Sequence, residues 1–274
     1  MRTSCTLLCA TALLLNACRQ SGAQQPETAD TQTAQQRPRA TRDFPVMEDF
    51  YQITVIGAFD IEIAEGPCSV TGIGDSIVLS TMRCEIGDGG LILSTHTEER
   101  DGIAPFATPN GVRMVIHLPE LRILANCAGA RIHASSLHAS RLHVGGMGAG
   151  SIDIDTLRCG HFRYEGSRKT DAAFPHVACD TAEVLAFGQG QTTIGIDASQ
   201  LVICDVSQTA DLVANVKAPI LYINSSTSGS GQFGVDVGEL LVQWRGTGEL
   251  TLSGQAQQKN IIDKQRGTLT DNVR

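Results

Sequence analysis

The sequence predicts an all-β fold, a parallel β-solenoid with coils of about twenty residues. Three observations carry that reading. From Val46 onward the chain runs in short apolar–polar alternations broken by Gly, Asp, Ser and Pro, the texture of strands joined by tight turns. Short apolar runs that lead into small polar turns start at Leu121, Leu142, Phe162, Val184, Leu201, Leu221 and Leu241, a mean period of twenty. Composition agrees: 28 Gly stand against one Trp, three Tyr and eight Phe, too few aromatics for a bulky α/β core. The formal net charge of −8 argues against a nucleic-acid surface.

Residues 1–18 read as a leader. Arg2 precedes an apolar run, Leu7 to Leu15, that is too short for a stable membrane-spanning helix but fits the core of a secretory signal. The run closes on Leu15-Asn16-Ala17-Cys18, which resembles a bacterial lipobox, and that resemblance implies cleavage before Cys18 and a lipid on its thiol. The alternative is an ordinary signal peptide cut at a small residue. Arg19, in place of Asp, directs a lipoprotein to the outer membrane under the enterobacterial sorting rule. Residues 19–45 are expected to be a flexible polar tether. Residues 19–43 hold no Leu, Ile, Val or aromatic side chain to offset ordering entropy, and as a coil they would reach about 25–30 Å.

Residues 46–254 are the expected solenoid. Ile53-Thr54-Val55 and Phe59 to Ile63 alternate with period two, and Leu91-Ile92-Leu93 and Val112 to Ile116 continue the pattern. No convincing amphipathic helix follows the leader. The repeats lead into the turns Gly148-Ala149-Gly150, Gly188-Gln189-Gly190 and Gly246-Thr247-Gly248, among others. One coil is too small to bury its own apolar face, but coils stacked at about 4.8 Å share one column and pair their backbones. A β-sandwich would space its strands irregularly, so the fixed period favours the solenoid. Trp244, the sole tryptophan, is expected to cover the open column end in the last coil, and residues 255–274 to fray.

Beyond Cys18 there are six cysteines, Cys68, Cys84, Cys127, Cys159, Cys179 and Cys204, with no Cys-x-x-Cys. Cys159 and Cys179 are one coil period apart, within disulfide reach if the phase holds, and Cys68–Cys84 is the second expected pair. Cys127 and Cys204 lie about four coils apart and should not bridge.

The stretch Phe50 to Gly66, the segment Asp88-Gly89-Gly90-Leu91-Ile92-Leu93, the segment Val115 to Leu121 and the Gly-Ala-Gly turns resemble the head GIN domain of auto-transporter-adhesin-like proteins, over about Val46 to Gly254. The resemblance implies a right-handed parallel β-solenoid, often on secreted or lipid-anchored bacterial proteins, with no assigned function. This sequence carries no amphipathic-strand translocator after the repeats, and lipid anchoring would take its place.

Few residues suggest chemistry. His133, His138 and His143 are spaced by five, which sends successive strand side chains to opposite faces and away from one metal. Asp153 and Asp155 share a strand face with Arg163 nearby in sequence, and some β-solenoid enzymes cut acidic polysaccharides with carboxylates, calcium and a basic residue. The same alternation is that of any solvent-facing strand, and Asp60 with Glu62 repeats it. Gly146 to Gly150 lacks dinucleotide-loop spacing and reads as a coil corner. No cofactor is expected. The leading expectation is a lipid-anchored, adhesin-like envelope module that binds an extended glycan or protein. A polysaccharide-active enzyme and an envelope scaffold without ligand are the alternatives.

Overall fold

The computed structural model describes residues 39–95, 111–263 and 266–274, so the leader, Cys18 and most of the tether lie outside the described residues. The first elements are short: β1 (Arg39–Phe44), β2 (Gln52–Ile56), β3 (Asp60–Glu65), β4 (Ser69–Asp75), α1 (Ser76–Thr81), β5 (Met82–Gly87), β6 (Gly90–Thr95), β7 (Arg113–Leu118) and β8 (Ile123–Asn126). Seven long strands follow, β9 (Arg131–Gly146), β10 (Ser151–Gly166), β11 (Asp171–Ala186), β12 (Gln191–Val206), β13 (Asp211–Ser225), β14 (Ser230–Trp244) and β15 (Glu249–Asp263), and then β16 (Thr268–Val273). Each long strand pairs in parallel with the next, so one strand is one coil of a β-solenoid.

A change in burial rhythm bends each strand around the core. The buried residues of β11 are Ala172, Phe174, Val177, Cys179, Ala182, Val184 and Ala186. Steps of two keep a strand straight, and the two steps of three turn its inward face through a corner. Three sides result: a first at Asp171–Phe174, a second at His176–Cys179 and a third at Thr181–Ala186, closed by the turn into the next coil. Inward residues stack in columns. Ile53, Leu124, Val144, Tyr164, Val184, Cys204, Ile223 and Val242 form one of them, all buried. Its one aromatic member, Tyr164, stands between Val144 and Val184, as close packing of a narrow core requires. Phe162 and Tyr164 meet Phe174 edge-on at 5.3 and 5.1 Å, with Gly166 leaving room for the Tyr164 ring.

The period is not uniform. The first-side column advances by 20 residues from Ile132 to Leu212 and by 19 from Leu212 through Gly231 and Leu250 to Leu269, while the second side already steps by 19 from Val177 to Ile196 and the third from Val202 to Leu221. The expected strand starts Leu142, Phe162 and Leu221 fall in one inward column, whose other members are Ala182, Val202 and Leu240. Val184 belongs to the neighbouring column. Leu201 and Leu241 point outward, because a shift of one residue moves a side chain to the other face.

Both ends are closed. At the amino-terminal end the parallel stack gives way to antiparallel pairs, β1 with β4, β4 with β7 and β5 with β6. Arg39–Phe44, expected within the tether, is therefore sheet, fixed by Phe44 buried beside Val70. The helix α1, which the sequence reading missed, is a single capped turn. Asp75 accepts the Ile77 and Val78 amides, and Leu79 is driven into the core. At the other end residues 255–263 and 268–273 are strand, where fraying was expected. Two inward columns finish on charges: Lys259 follows Leu240, Asp271 follows Leu252, and Lys259 Nζ reaches Asp271 at 2.7 Å and the Val273 carbonyl at 2.9 Å. Burial opposes ionisation of Asp271, but the Lys259 ammonium and the Val273 amide outweigh it and hold the carboxyl below its usual range. A charged pair across the last rung discourages further strand addition. Trp244 is fully buried in β14 and not in the last coil. Asp263 of β15 lies opposite it, and Gly267 packs against its indole from the final turn.

Candidate functional site: a trough along the second side

The side chains that form a long hollow come from one corner repeated in six coils. In β9, β10 and β11 the first corner takes a three-residue step, Ala134 to Leu137, Ile154 to Leu157 and Phe174 to Val177. In β12, β13 and β14 the step shrinks to two, Ile194 to Ile196, Ala214 to Val216 and Phe233 to Val235. The register shift between Phe174 and Val177 marks the change. With one residue fewer outside the core, the wall is cut back. Gly195 stands where the corner tightens, and a Cβ there would come within 2.3 Å of the Pro175 carbonyl oxygen. Gly254, at φ +114°, would place its Cβ 2.0 Å from the Val235 carbonyl oxygen. Glycine is required at both places.

The resulting trough has a volume of about 660 Å³ and runs from Thr156 in β10 to Gly254 in β15. Five rung spacings give it a length of about 24 Å. Val177, Ile196, Val216 and Val235 make its floor, and Asn215 and Ser253 face into it. One edge is an ionic ridge in which Asp197, Lys217, Asp236 and Gln255 are successive partners in register. Lys217 Nζ lies 3.7 Å from Asp197, and Gln255 donates to Asp236 at 2.7 Å. Beyond the ridge a second hollow of about 590 Å³ follows the other corner, past Pro219 and Gly238 to Arg274. Arg158 and His176 stand at the amino-terminal end of the first trough and make no ion pair among the described residues.

The residues singled out from the sequence do not converge. Asp155 contacts His133 at 3.2 Å, and Asp153 lies beside Ser151 at 3.4 Å. Burial lifts the Asp153 pKa, with the Ser151 hydroxyl and His133 opposing that rise. Arg163 is on the third side, bonded to Glu183 and 3.5 Å from Glu165. The carboxylates and the arginine therefore sit on different faces. His133, His138 and His143 each meet a different carboxylate, Asp155, Glu65 and Glu165. Gly146 ends β9, and Met147 to Gly150 make the coil turn that the sequence suggested. Register sets Cys159 directly opposite Cys179, whereas Cys68 lies in the turn before β4 and Cys84 opposite Leu93 in β6. All six described cysteines are free thiols. The trough itself was missed. Its trace in the sequence is the run Pro175, Gly195, Asn215, Gly234 and Ser253, which is legible only once the coil length is known to change.

No protein-family profile matches the chain, and no curated protein is detectably similar in sequence. Solved structures share the fold. A "putative adhesin" from Bacteroides fragilis superposes with a TM-score of 0.61 at 17% identity, over 85% of this chain and 96% of that one. A second "putative adhesin", from Parabacteroides merdae, gives 0.67 at 14% identity over 85% and 95%. A "putative lipid binding protein" from Parabacteroides distasonis gives 0.60 at 15% over 86% and 96%.

Proposed function

We propose that this chain is an adhesin-like binding module of the head GIN type, held at the bacterial cell envelope by a lipid on Cys18, and that one extended glycan lies along its trough. The single observation behind the ligand is the match of periods. Rungs recur at about 4.8 Å along the trough, close to the length of one hexose in an extended chain, whereas a peptide strand advances about 3.3 Å per residue. The two carboxylates, the ammonium and the amide of the ridge supply acceptors and donors for sugar hydroxyls along the rungs, and the aliphatic floor suits the apolar edge of a sugar ring. The solved structures with this fold that carry adhesin names support a role in binding. A glycan array run beside a reducing-sugar release assay tests the reading. Binding without product is expected, product would favour a polysaccharide-active enzyme, and neither would favour a scaffold or a protein partner.

Anchoring rests on the Leu15-to-Cys18 lipobox and the polar segment after it. No helix among the described residues is long and apolar enough to cross a membrane. Cys18→Ala is expected to shift the protein from the detergent-extracted membrane fraction to the soluble one. Unchanged fractionation, with no lipid mass on the mature amino terminus, would overturn the anchor.

A further inference from the structure

The structure assigns a covalent modification site to the second side: we propose that Cys159 and Cys179 form a disulfide that staples coil β10 to coil β11 beneath the amino-terminal end of the trough. The two residues are direct partners in the parallel register, so their Cα atoms stand about one rung apart, about 4.8 Å, inside the 4.4–6.8 Å range that a disulfide accepts. Their column gives the bridge room. Ala139 precedes the pair and Ala198 follows it, so no bulky neighbour must move. Ala198 also leaves Cys179 without a competing thiol on the next coil. The other described cysteines have no such partner: Cys204 lies between Val184 and Ile223, Cys84 faces Leu93, Cys68 Sγ points to the Phe50 carbonyl, and Cys127 is four rungs from Cys204.

The chemistry balances with a small-molecule disulfide as oxidant. Cys159 is half-buried, while Cys179 is only 8% exposed, so Cys159 meets the oxidant first. Its thiolate attacks one sulfur of the oxidant and expels the other as a thiolate, forming a mixed disulfide. The Cys179 thiolate then attacks Cys159 Sγ and releases the second half of the oxidant. Two protein thiols lose two electrons and two protons, and one oxidant disulfide becomes two thiols. Burial pushes the Cys159 thiol up to about 12 and the Cys179 thiol up to about 11, so the bridge should form faster as pH rises. The bridge would fix the backbone next to Arg158 and Ala178, which line the trough, without depending on what the trough holds.

The test uses the full chain, incubated with oxidised glutathione, alkylated in its folded state and digested with trypsin. Cleavage after Arg158, Arg163, Lys169 and Lys217 places Cys159 in Cys159–Arg163 and Cys179 in Thr170–Lys217. The expected result is a linked pair of these peptides, lighter by two hydrogens than their sum, with fragment ions assigning the bridge to Cys179 and not Cys204. Reduction should abolish it, and Cys159→Ser should leave Cys179 open to alkylation after denaturation. Circular dichroism keeps the variant interpretable, and Cys204, fully buried, reports any unfolding by becoming alkylated early. Free Cys159 and Cys179 after oxidation of a folded wild-type chain would overturn the proposal, as would a bridge from either residue to Cys204.

Discussion

Replacing Trp244 with alanine is expected to lower the stability of the fold by about 3–5 kcal/mol, the usual loss for a buried aromatic truncated to alanine. Trp244 is fully buried and sits near the end of its column, opposite Ser225 on one side and Asp263 on the other. Its indole also fills the space that Gly246 and Gly267 leave open, since a Cβ on either would come within 2.5 and 2.9 Å of the ring. The void left by alanine would therefore loosen both the last full coil and the final turn. Urea unfolding would read the loss as a lower midpoint at unchanged slope, and Trp244→Phe should recover part of it. A midpoint within experimental scatter of wild type would contradict the assigned packing.

Gly148→Ala is expected to be costly for a different reason, by about 3 kcal/mol, the upper end of ordinary overpacking. The turn of one coil rests on the turn before it, with the Ala149 amide bonded to the Ala128 carbonyl at 2.9 Å. A Cβ at Gly148 would stand 1.6 Å from that same carbonyl oxygen, so the two turns could not keep their spacing. Gly145, three residues earlier on the third side, is the natural control. Its nearest neighbour would be 3.8 Å away, and Gly145→Ala should change stability by no more than about 0.5 kcal/mol. Equal losses from the two substitutions would remove the steric explanation.

The sequence carried the solenoid because its strongest signals are local. Gly and Ser turns recur at a fixed distance, and Ile-x-Ile or Val-x-Val alternation marks the straight sides. The phase was harder to read. Leu201 and Leu241 look inward by hydropathy, yet they face outward, because Val202 and Leu240 one position away occupy the column. A period that slips from 20 to 19 averages to a number that hides the slip, and it also hides the shortened corner after Phe174 that shapes the trough, because the next corner of the same coil, Ala198 to Val202, is longer. The capping tail was missed for a related reason. Lys259, Asp263 and Asp271 are polar where earlier coils are apolar, which reads as loss of structure when only burial is counted. The trio of Asp153, Asp155 and Arg163 was close in sequence, but two corners intervene between the second carboxylate and the arginine. Sequence distance around a coil is a poor guide to neighbourhood. Sites here are built across rungs, among residues 19 or 20 apart.

Equilibrium binding of an array-selected extended glycan to wild type, Asn215→Trp and Thr193→Trp tests most directly whether the trough holds the ligand. Asn215 is exposed and faces into the trough, so an indole there would fill it while leaving the core intact. Thr193 is exposed on the first side, away from the trough. Asn215→Trp is expected to weaken binding at least tenfold, about 1.4 kcal/mol, while Thr193→Trp binds as wild type does. Undiminished binding by Asn215→Trp, or an equal loss from both variants, would contradict a ligand in the trough.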